Sequence, residues 1–272
     1  MKNTLLFLSI LLCTISCKQE PSSSNASETV SAETTTDKKE YEDIAFITPD
    51  SIKIFGQLYE VDKSKDIILL FHQGGSNIRG EYGPILSKIL DFGLNVLAID
   101  QRLGGQIYGN YNRTIYNIPT HSFNNNYGYC DAYNNLEGAL ELSQELGFTG
   151  KKILWGSSYS ASLAIQLADN RPEDVGAVLS FSPASGRVME GCNPDQHYPT
   201  VKVPLLVLRP PSEVESERSK ADMALAESSG HQTFVPEYGV HGSSMLVESR
   251  VRHDVSKTWE VVTEFINKVK TK

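Results

Sequence analysis

The chain has 272 residues, of which 40% are hydrophobic and 21% charged, and its formal net charge at pH 7 is −8. This length and composition suit one globular domain of ordinary size. The acidic balance argues against a protein that binds nucleic acid through bulk charge.

The first 16 residues have the form of a signal peptide. Lys2 supplies a positive charge, and a short apolar run follows at residues 5–12. The run is too short to span a membrane comfortably. It leads into Thr14-Ile15-Ser16-Cys17, which resembles a bacterial lipoprotein box in which Cys17 is lipidated and becomes the mature N-terminus. A plain secretory signal that is cut nearby is the alternative.

Residues 17–40 are predicted to be a disordered linker. They are rich in Ser, Thr, Glu and Lys and contain few large apolar side chains. Such a segment cannot bury enough surface to offset its chain entropy. With Cys17 lipidated, it would hold a folded domain at residues 41–272 off a membrane. We therefore expect an exported bacterial lipoprotein that is anchored on the periplasmic or cell-surface side.

The predicted domain contains two cysteines, Cys130 and Cys192. In an exported protein they can form a disulfide. The sequence cannot show whether their backbones come within bridging range, so a disulfide and two free thiols stay equally open. Neither cysteine has the spacing of a metal site, and the sequence implies no metal or organic cofactor.

From residue 44 onward, predicted strands alternate with predicted helices. A β-hairpin is predicted at residues 44–47 and 52–59, around Pro49-Asp50. Further strands are predicted at residues 66–71, 95–100, 153–155, 175–181, 203–208 and 231–236. Helices are predicted at residues 82–92, 133–146, 161–169 and 254–269. This alternation predicts an α/β fold with a mostly parallel central sheet and helices on both faces, in which functional loops follow the carboxyl ends of the strands.

A serine-rich turn joins the predicted strand at residues 153–155 to the helix at residues 161–169. It reads Gly156-Ser157-Ser158-Tyr159-Ser160. A serine on a strand-to-helix turn is held in a strained backbone with its hydroxyl exposed, and small neighbours let the strand and helix pass closely. We interpret Ser158 as a nucleophile, with Ser157 as the alternative. A serine that only caps the helix would give the same five residues.

Three further motifs accompany this turn in the order found in α/β-hydrolases. They are His72-Gln73-Gly74-Gly75-Ser76 after the strand at residues 66–71, the acidic segment from Glu213 to Glu217, and Tyr238-Gly239-Val240-His241-Gly242-Ser243 after the last strand. Over residues 44–270 the sequence resembles an α/β-hydrolase of the dienelactone hydrolase or esterase type, without a large lid domain, because residues 182–202 leave no room for one.

The resemblance implies a role for each of these motifs. His241 would be the general base that takes the proton of Ser158, and Glu213 would orient the His241 ring, with Glu215 and Glu217 as alternatives. The N–H groups of Tyr159 and of Gly74 would form the oxyanion hole, with the N–H of Gln73 as the alternative to that of Gly74.

The resemblance implies a serine hydrolase that forms an acyl-enzyme on Ser158, and ester hydrolysis, the commonest chemistry of such hydrolases, makes a small-molecule carboxylic ester the expected substrate. A peptidase or amidase with the same triad and a non-catalytic binding module on the same fold are the alternatives. The expected partners are the ester substrate and a lipid membrane, and no nucleic acid. The long segment at residues 101–128 is rich in Tyr and Asn and shows little periodicity, so it is predicted either to rim the site or to form a surface loop.

Overall fold

A sheet of eight strands organises the chain. The computed structural model describes residues 41–118 and 128–271, so the predicted signal peptide, Cys17 and the linker lie outside the described residues. The strands are β1 (Glu42–Ile47), β2 (Lys53–Tyr59), β3 (Ile67–Phe71), β4 (Asn95–Asp100), β5 (Lys152–Ser157), β6 (Val175–Phe181), β7 (Leu205–Leu208) and β8 (Gln232–Phe234). Their order is β1-β2-β4-β3-β5-β6-β7-β8. The pairs from β4-β3 to β7-β8 are parallel, whereas β1-β2 and β2-β4 are antiparallel.

Helices cover both faces of the sheet, as the sequence predicts. They are α1 (Ile78–Glu81), α2 (Leu86–Leu90), α3 (Arg113–Asn117), α4 (Tyr133–Glu145), α5 (Tyr159–Asn170), α6 (Glu217–Ser228), α7 (Glu248–Val251) and α8 (Ser256–Val269). Every residue of β3 is buried, because alternate side chains enter the two hydrophobic cores. Leu69 packs on the side of α4 and α5, and Leu70 packs on the side of α8.

Two helix predictions need correction. The helix predicted at residues 82–92 is instead a 3₁₀ turn at Gly83–Ile85 followed by the short helix α2, and α1 precedes both. Pro84 lies inside that turn, where its ring cannot continue a regular helix. Helix α6 was not predicted, since its sequence has no continuous apolar stripe. Ser216 caps its N-terminus, because the Ser216 hydroxyl accepts the N–H of Ser219 at 3.2 Å.

The segments that connect the strands test three predictions: the absence of a lid domain, the long loop at residues 101–128 and the state of the two cysteines. Between β6 and β7 there are two short 3₁₀ turns, Arg187–Met189 and Pro194–Gln196, in place of a lid domain. Helix α3 lies within the predicted loop at residues 101–128, of which residues 119–127 lie outside the described part. Cys130 and Cys192 form a disulfide with a Cα–Cα distance of 5.7 Å. Among the described residues, no helix is long and apolar enough to cross a membrane.

Candidate active site

Ser158 lies where β5 ends and α5 begins. Its φ and ψ angles are 62° and −125°, a conformation that costs a non-glycine residue about 1–3 kcal/mol. Two hydrogen bonds hold it there: the Ser158 N–H donates to the Phe181 carbonyl at 2.9 Å, and the Ala184 N–H donates to the Ser158 carbonyl at 3.2 Å. Ser158 stays partly exposed, whereas the alternative nucleophile Ser157 is fully buried and therefore out of a substrate's reach.

The small residues beside Ser158 have separate structural roles. A Cβ atom on Gly156 would lie 2.4 Å from the Ser160 carbonyl oxygen and 2.6 Å from the Ala161 Cα, so glycine is required where α5 crosses β5. The Ser160 hydroxyl lies 2.7 Å from the carbonyl oxygen of Phe71 and accepts the Ser157 N–H at 3.0 Å. The serine at position 160 thus ties the turn to the carboxyl end of β3.

His241 and Glu213 meet beyond the carboxyl ends of β8 and β7. The His241 Nδ1 lies 2.6 Å from the Glu213 Oε1. A carboxylate at this distance needs the imidazole proton on Nδ1, which leaves the lone pair on Nε2 to accept a proton. The two alternative acids lie elsewhere: Glu215 is exposed, and Glu217 pairs with Lys220 at 2.7 Å on α6.

Charged side chains contact Glu213 from two sides. Burial alone would raise the pKa of Glu213, but the hydrogen bond and charge of His241 and the guanidinium of Arg209 outweigh it and hold the pKa below its ordinary value. The Arg209 Nη1 lies 3.3 Å from the Glu213 Oε2. The same guanidinium donates to the Pro183 carbonyl and lies 3.4 Å from the Asp222 carboxylate. Arg209 therefore fixes the Glu213 carboxylate from the side away from His241.

The loop that carries His241 is joined to the Ser158 turn. The Ser243 N–H donates to the Ser157 hydroxyl at 3.0 Å. Gly242 has a φ of 68°, and a Cβ atom there would lie 2.3 Å from the Ser157 Oγ, so this approach requires glycine. The residues next to Ser158 and His241 are thus in contact. The Ser158 hydroxyl itself makes no hydrogen bond within the described part of the chain, to His241 or to any other group.

The segment after β3 leaves one N–H group free. The Gln73 N–H donates to the buried Glu81 Oε2 at 2.8 Å, so it does not point toward a substrate. The Gln73 carbonyl accepts from the His72 Nδ1 at 2.8 Å. Because the carbonyl and N–H of a trans peptide point in opposite directions, the Gly74 N–H points away from His72. Within the described residues, the N–H groups of Gly74 and Tyr159 have no acceptor.

His72 is buried and has a structural role. Its Nδ1 binds the Gln73 carbonyl, and its Nε2 accepts the Gln101 N–H at 2.8 Å. Both ring nitrogens are therefore occupied, and the ring joins the end of β3 to the segment after β4. This contact explains a histidine at the end of β3 without a catalytic role.

Tyr129 lies beside Gly74 and Tyr159. Its ring stacks on that of Tyr159, with centroids 4.9 Å apart and planes 11° apart. The Tyr129 hydroxyl would lie 3.4 Å from a Cβ atom at Gly74. The next residue, Cys130, forms a disulfide with Cys192, so the disulfide restrains the backbone beside the Tyr129 ring.

Three residues that the sequence analysis missed therefore shape the site: Glu81, Arg209 and Tyr129. Glu81 carries no sequence signal, since it is one glutamate in an irregular helical segment. Arg209 is the first residue after β7, where a polar residue is a candidate in any parallel sheet. Among the described residues, no cluster of three or more His, Cys, Asp or Glu side chains is arranged to hold a metal ion.

Comparisons with known proteins identify the fold. Neither a protein-family sequence profile nor a curated protein sequence matches the chain. Among solved structures, a Pyrococcus furiosus esterase superposes with a TM-score of 0.64 and 16% identity over 85% of this chain and 91% of the esterase. Est1E from Butyrivibrio proteoclasticus, with bound ferulic acid, gives 0.63 and 13% over 83% and 98% of the two chains.

A longer enzyme shares the same architecture. An acylaminoacyl peptidase from Pyrococcus horikoshii superposes with a TM-score of 0.61 and 14% identity, over 86% of this chain and 42% of the peptidase. Together with the strand order, these similarities show that the chain has the α/β-hydrolase fold.

Proposed function

We propose that the protein is a serine hydrolase that cleaves a carboxylic ester through an acyl-enzyme on Ser158. The observation that carries the proposal is the convergence of a strained, partly exposed Ser158 with a His241–Glu213 pair on an adjoining loop. Three separate strand ends supply these groups. A serine that only capped α5 would need neither the strained backbone nor an oriented imidazole nearby.

Each group has a defined task in the proposed reaction. Rotation of the Ser158 side chain brings its hydroxyl to the His241 Nε2, which takes the proton as the oxygen attacks the ester carbonyl carbon. Glu213 keeps the imidazole in the required tautomer and stabilises the imidazolium. His241 then protonates the leaving alcohol. A water molecule next attacks the acyl carbon while His241 takes its proton, and the bond to the Ser158 oxygen breaks as that oxygen takes the proton back, which releases the carboxylic acid.

The N–H groups of Gly74 and Tyr159 fit the oxyanion that forms during both attacks. Within the described residues they are free, they lie on neighbouring segments, and the Tyr129 ring lies beside both residues. Loss of one such donor typically lowers kcat by about 10²–10³-fold. The proposal assigns the donor of this loop to Gly74, because Glu81 occupies the N–H of Gln73.

The experiment is covalent labelling of the full-length chain with a fluorophosphonate, with the adduct located by peptide mass and nitrophenyl acetate hydrolysis measured in parallel. We expect the label on Ser158, its loss in Ser158→Ala, and a strong reduction in His241→Ala. Ser249→Ala, an exposed serine on α7, is the matched control and should label like the wild type. A folded wild type that neither labels nor hydrolyses esters would favour the non-catalytic binding module.

A peptidase or amidase is the second candidate, and the similarity to an acylaminoacyl peptidase is the observation that favours it. Ester cleavage ranks first because the two other structures compared are esterases of about this chain's size. Acylated amino-acid nitroanilides assayed beside the matching nitrophenyl esters distinguish the two. A higher kcat/KM for the anilide would reverse the ranking.

We also propose that the protein is exported and lipid-anchored through Cys17. The Cys130–Cys192 disulfide supports export, because disulfides persist in oxidising compartments. The test is incorporation of an alkyne fatty acid by the full-length chain in a bacterial host, followed by membrane fractionation. Cys17→Ser should lose the label and leave the membrane fraction, whereas Cys13→Ser should keep both. A labelled Cys17→Ser protein would contradict the anchor.

A further inference from the structure

Glu81 is a buried carboxyl group that the proposed reaction does not use. It ends α1 and is fully inaccessible to solvent. Its Oε2 accepts the Gln73 N–H at 2.8 Å, and its Oε1 has no hydrogen-bond partner within the described structure. Burial of a carboxyl group is costly unless hydrogen bonds compensate for it, so its contacts indicate what it does.

The groups around Glu81 act on its carboxyl group and on its backbone carbonyl. Burial raises the pKa of Glu81, and the nearby Ser157 hydroxyl and His72 ring only partly oppose that effect. On its backbone side, the Arg250 guanidinium donates to the Glu81 carbonyl at 3.3 Å, and that guanidinium stacks over the Tyr108 ring at 3.6 Å.

Glu81 lies where three loops of the candidate site come together. Gln73, which it binds, directly precedes Gly74. Ser157, which lies beside it, directly precedes Ser158. The Ser157 hydroxyl in turn accepts the N–H of Ser243, two residues after His241. Each contact therefore involves a residue within two positions of a group proposed to act on the substrate.

The contact with Gln73 fixes the peptide group that precedes the one carrying the Gly74 N–H. Glu81 draws the Gln73 N–H into the protein, and His72 and the Ser76 N–H bind the Gln73 carbonyl at 2.8 Å and 3.2 Å. Both peptide groups that flank Gln73 are therefore fixed. Without an acceptor at Glu81, the Gln73 N–H would be a buried unsatisfied donor, so the His72–Gln73 peptide would gain by changing its orientation.

We propose that Glu81 is a positioning residue for acyl transfer, which holds the Gln73 peptide so that the Gly74 N–H is aimed into the oxyanion hole and in register with Ser158. This inference rests on the proposed serine hydrolase function. Glu81 acts as a hydrogen-bond acceptor in this role and does not touch the substrate. The Gly74 N–H that it positions binds the oxyanion of the transition state, so loss of Glu81 should lower kcat and leave KM largely unchanged.

The test compares three variants of Glu81 by steady-state hydrolysis of a nitrophenyl ester, normalised to the sites titrated by the fluorophosphonate. Glu81→Gln keeps an acceptor oxygen at the same distance and should retain kcat within about threefold. Glu81→Met has similar length but no strong acceptor, and its kcat should fall at least tenfold, toward the roughly 10²–10³-fold cost of one lost oxyanion donor. Glu81→Asp withdraws the carboxyl group by one methylene and should fall between them, which keeps the test valid if Glu81→Met does not fold.

A matched control separates positioning from stability. Asp66 is also a buried carboxylate that accepts backbone N–H groups, from Lys151 at 2.8 Å and Thr271 at 2.6 Å, but it precedes β3 instead of following it. Asp66→Leu should lower Tm and leave kcat per titrated site unchanged.

The outcomes distinguish the inference from the proposed function. If the wild type labels and turns over, but Glu81→Met and Glu81→Asp keep its kcat per titrated site, the inference is wrong and the function stands. Equal losses in Glu81→Gln and Glu81→Met would also overturn it, since an acceptor alone would not be enough. A wild type that neither labels nor hydrolyses overturns both.

Discussion

Removal of the Cys130–Cys192 disulfide should destabilise the domain by an amount that the loop length sets. The bridge joins residues 62 positions apart, and for that loop the chain-entropy relation gives about 14 cal/mol/K, or about 4 kcal/mol at 25 °C. Engineered and natural bridges often deliver less than this relation predicts, so we expect the Cys130→Ser/Cys192→Ser double variant to lose about 2–4 kcal/mol of unfolding free energy. For a domain of this size, that loss lowers Tm by about 10 °C.

The assay is urea unfolding followed by tryptophan fluorescence. The chain contains two tryptophans, and both Trp155 and Trp259 are buried in the core that α8 covers, so their emission reports loss of the fold. The double variant is compared with oxidised and reduced wild type. Reduced wild type is the matched control and should unfold at the same urea concentration as the variant, because both lack the same covalent link.

Two results would refute this reasoning. A loss below about 1 kcal/mol, with a thiol assay that confirms the bridge in the wild type, would show that the unfolded chain gains little freedom when the 62-residue loop opens. Two titratable thiols in oxidised, folded protein would show that the bridge itself does not form. A fall in kcat/KM alongside stability is expected, since Tyr129 next to Cys130 stacks on Tyr159.

Three further predictions concern the candidate site. Gly242→Ala places a methyl group 2.3 Å from the Ser157 Oγ, so kcat should fall at least tenfold and Tm should drop, as ester hydrolysis and thermal melts would show; an unchanged enzyme would contradict the close approach. Glu213→Gln should lower kcat by about 10³–10⁴-fold through loss of the required tautomer, whereas the exposed Glu217→Gln should not, and equal activities would remove Glu213 from the mechanism. The folded-state pKa of Glu213 is depressed, so its ionised form stabilises the fold above its unfolded pKa, and this contribution is lost as pH falls through the folded pKa. Between about pH 6 and pH 3, urea titrations should therefore show a larger loss of unfolding free energy for the wild type than for Glu213→Gln. A smaller loss for the wild type would contradict a depressed pKa of Glu213 in the folded state.

Short-range patterns in the sequence were sufficient to predict the architecture. The regular alternation of predicted strands and helices predicted a mostly parallel sheet, and the observed strand pairing confirms it. The turn at Ser158 could also be predicted, because its geometry depends on residues close to it along the chain, such as Gly156 in that same turn. Where a residue's constraint is local, the sequence states it directly.

Contacts between residues at the ends of different strands could not be predicted from the sequence. Glu213, Glu215 and Glu217 are equivalent as a pattern, and only the approach of the loops after β7 and β8 places Glu213 against His241. In the same way, Glu81 decides between the N–H groups of Gln73 and Gly74, and packing decides that Cys130 meets Cys192.

The physical reason is one of range. Periodicity and turn chemistry act over a few residues, and they determine each strand, each helix and the order in which candidate groups follow the strands. A hydrogen bond such as that from Ser243 to Ser157 joins residues 86 positions apart, and its partners are selected by how the whole sheet packs. The sequence by itself therefore determined the fold and the residue types at the candidate site, whereas the tertiary structure decided which oxygen, nitrogen and sulfur atoms meet there.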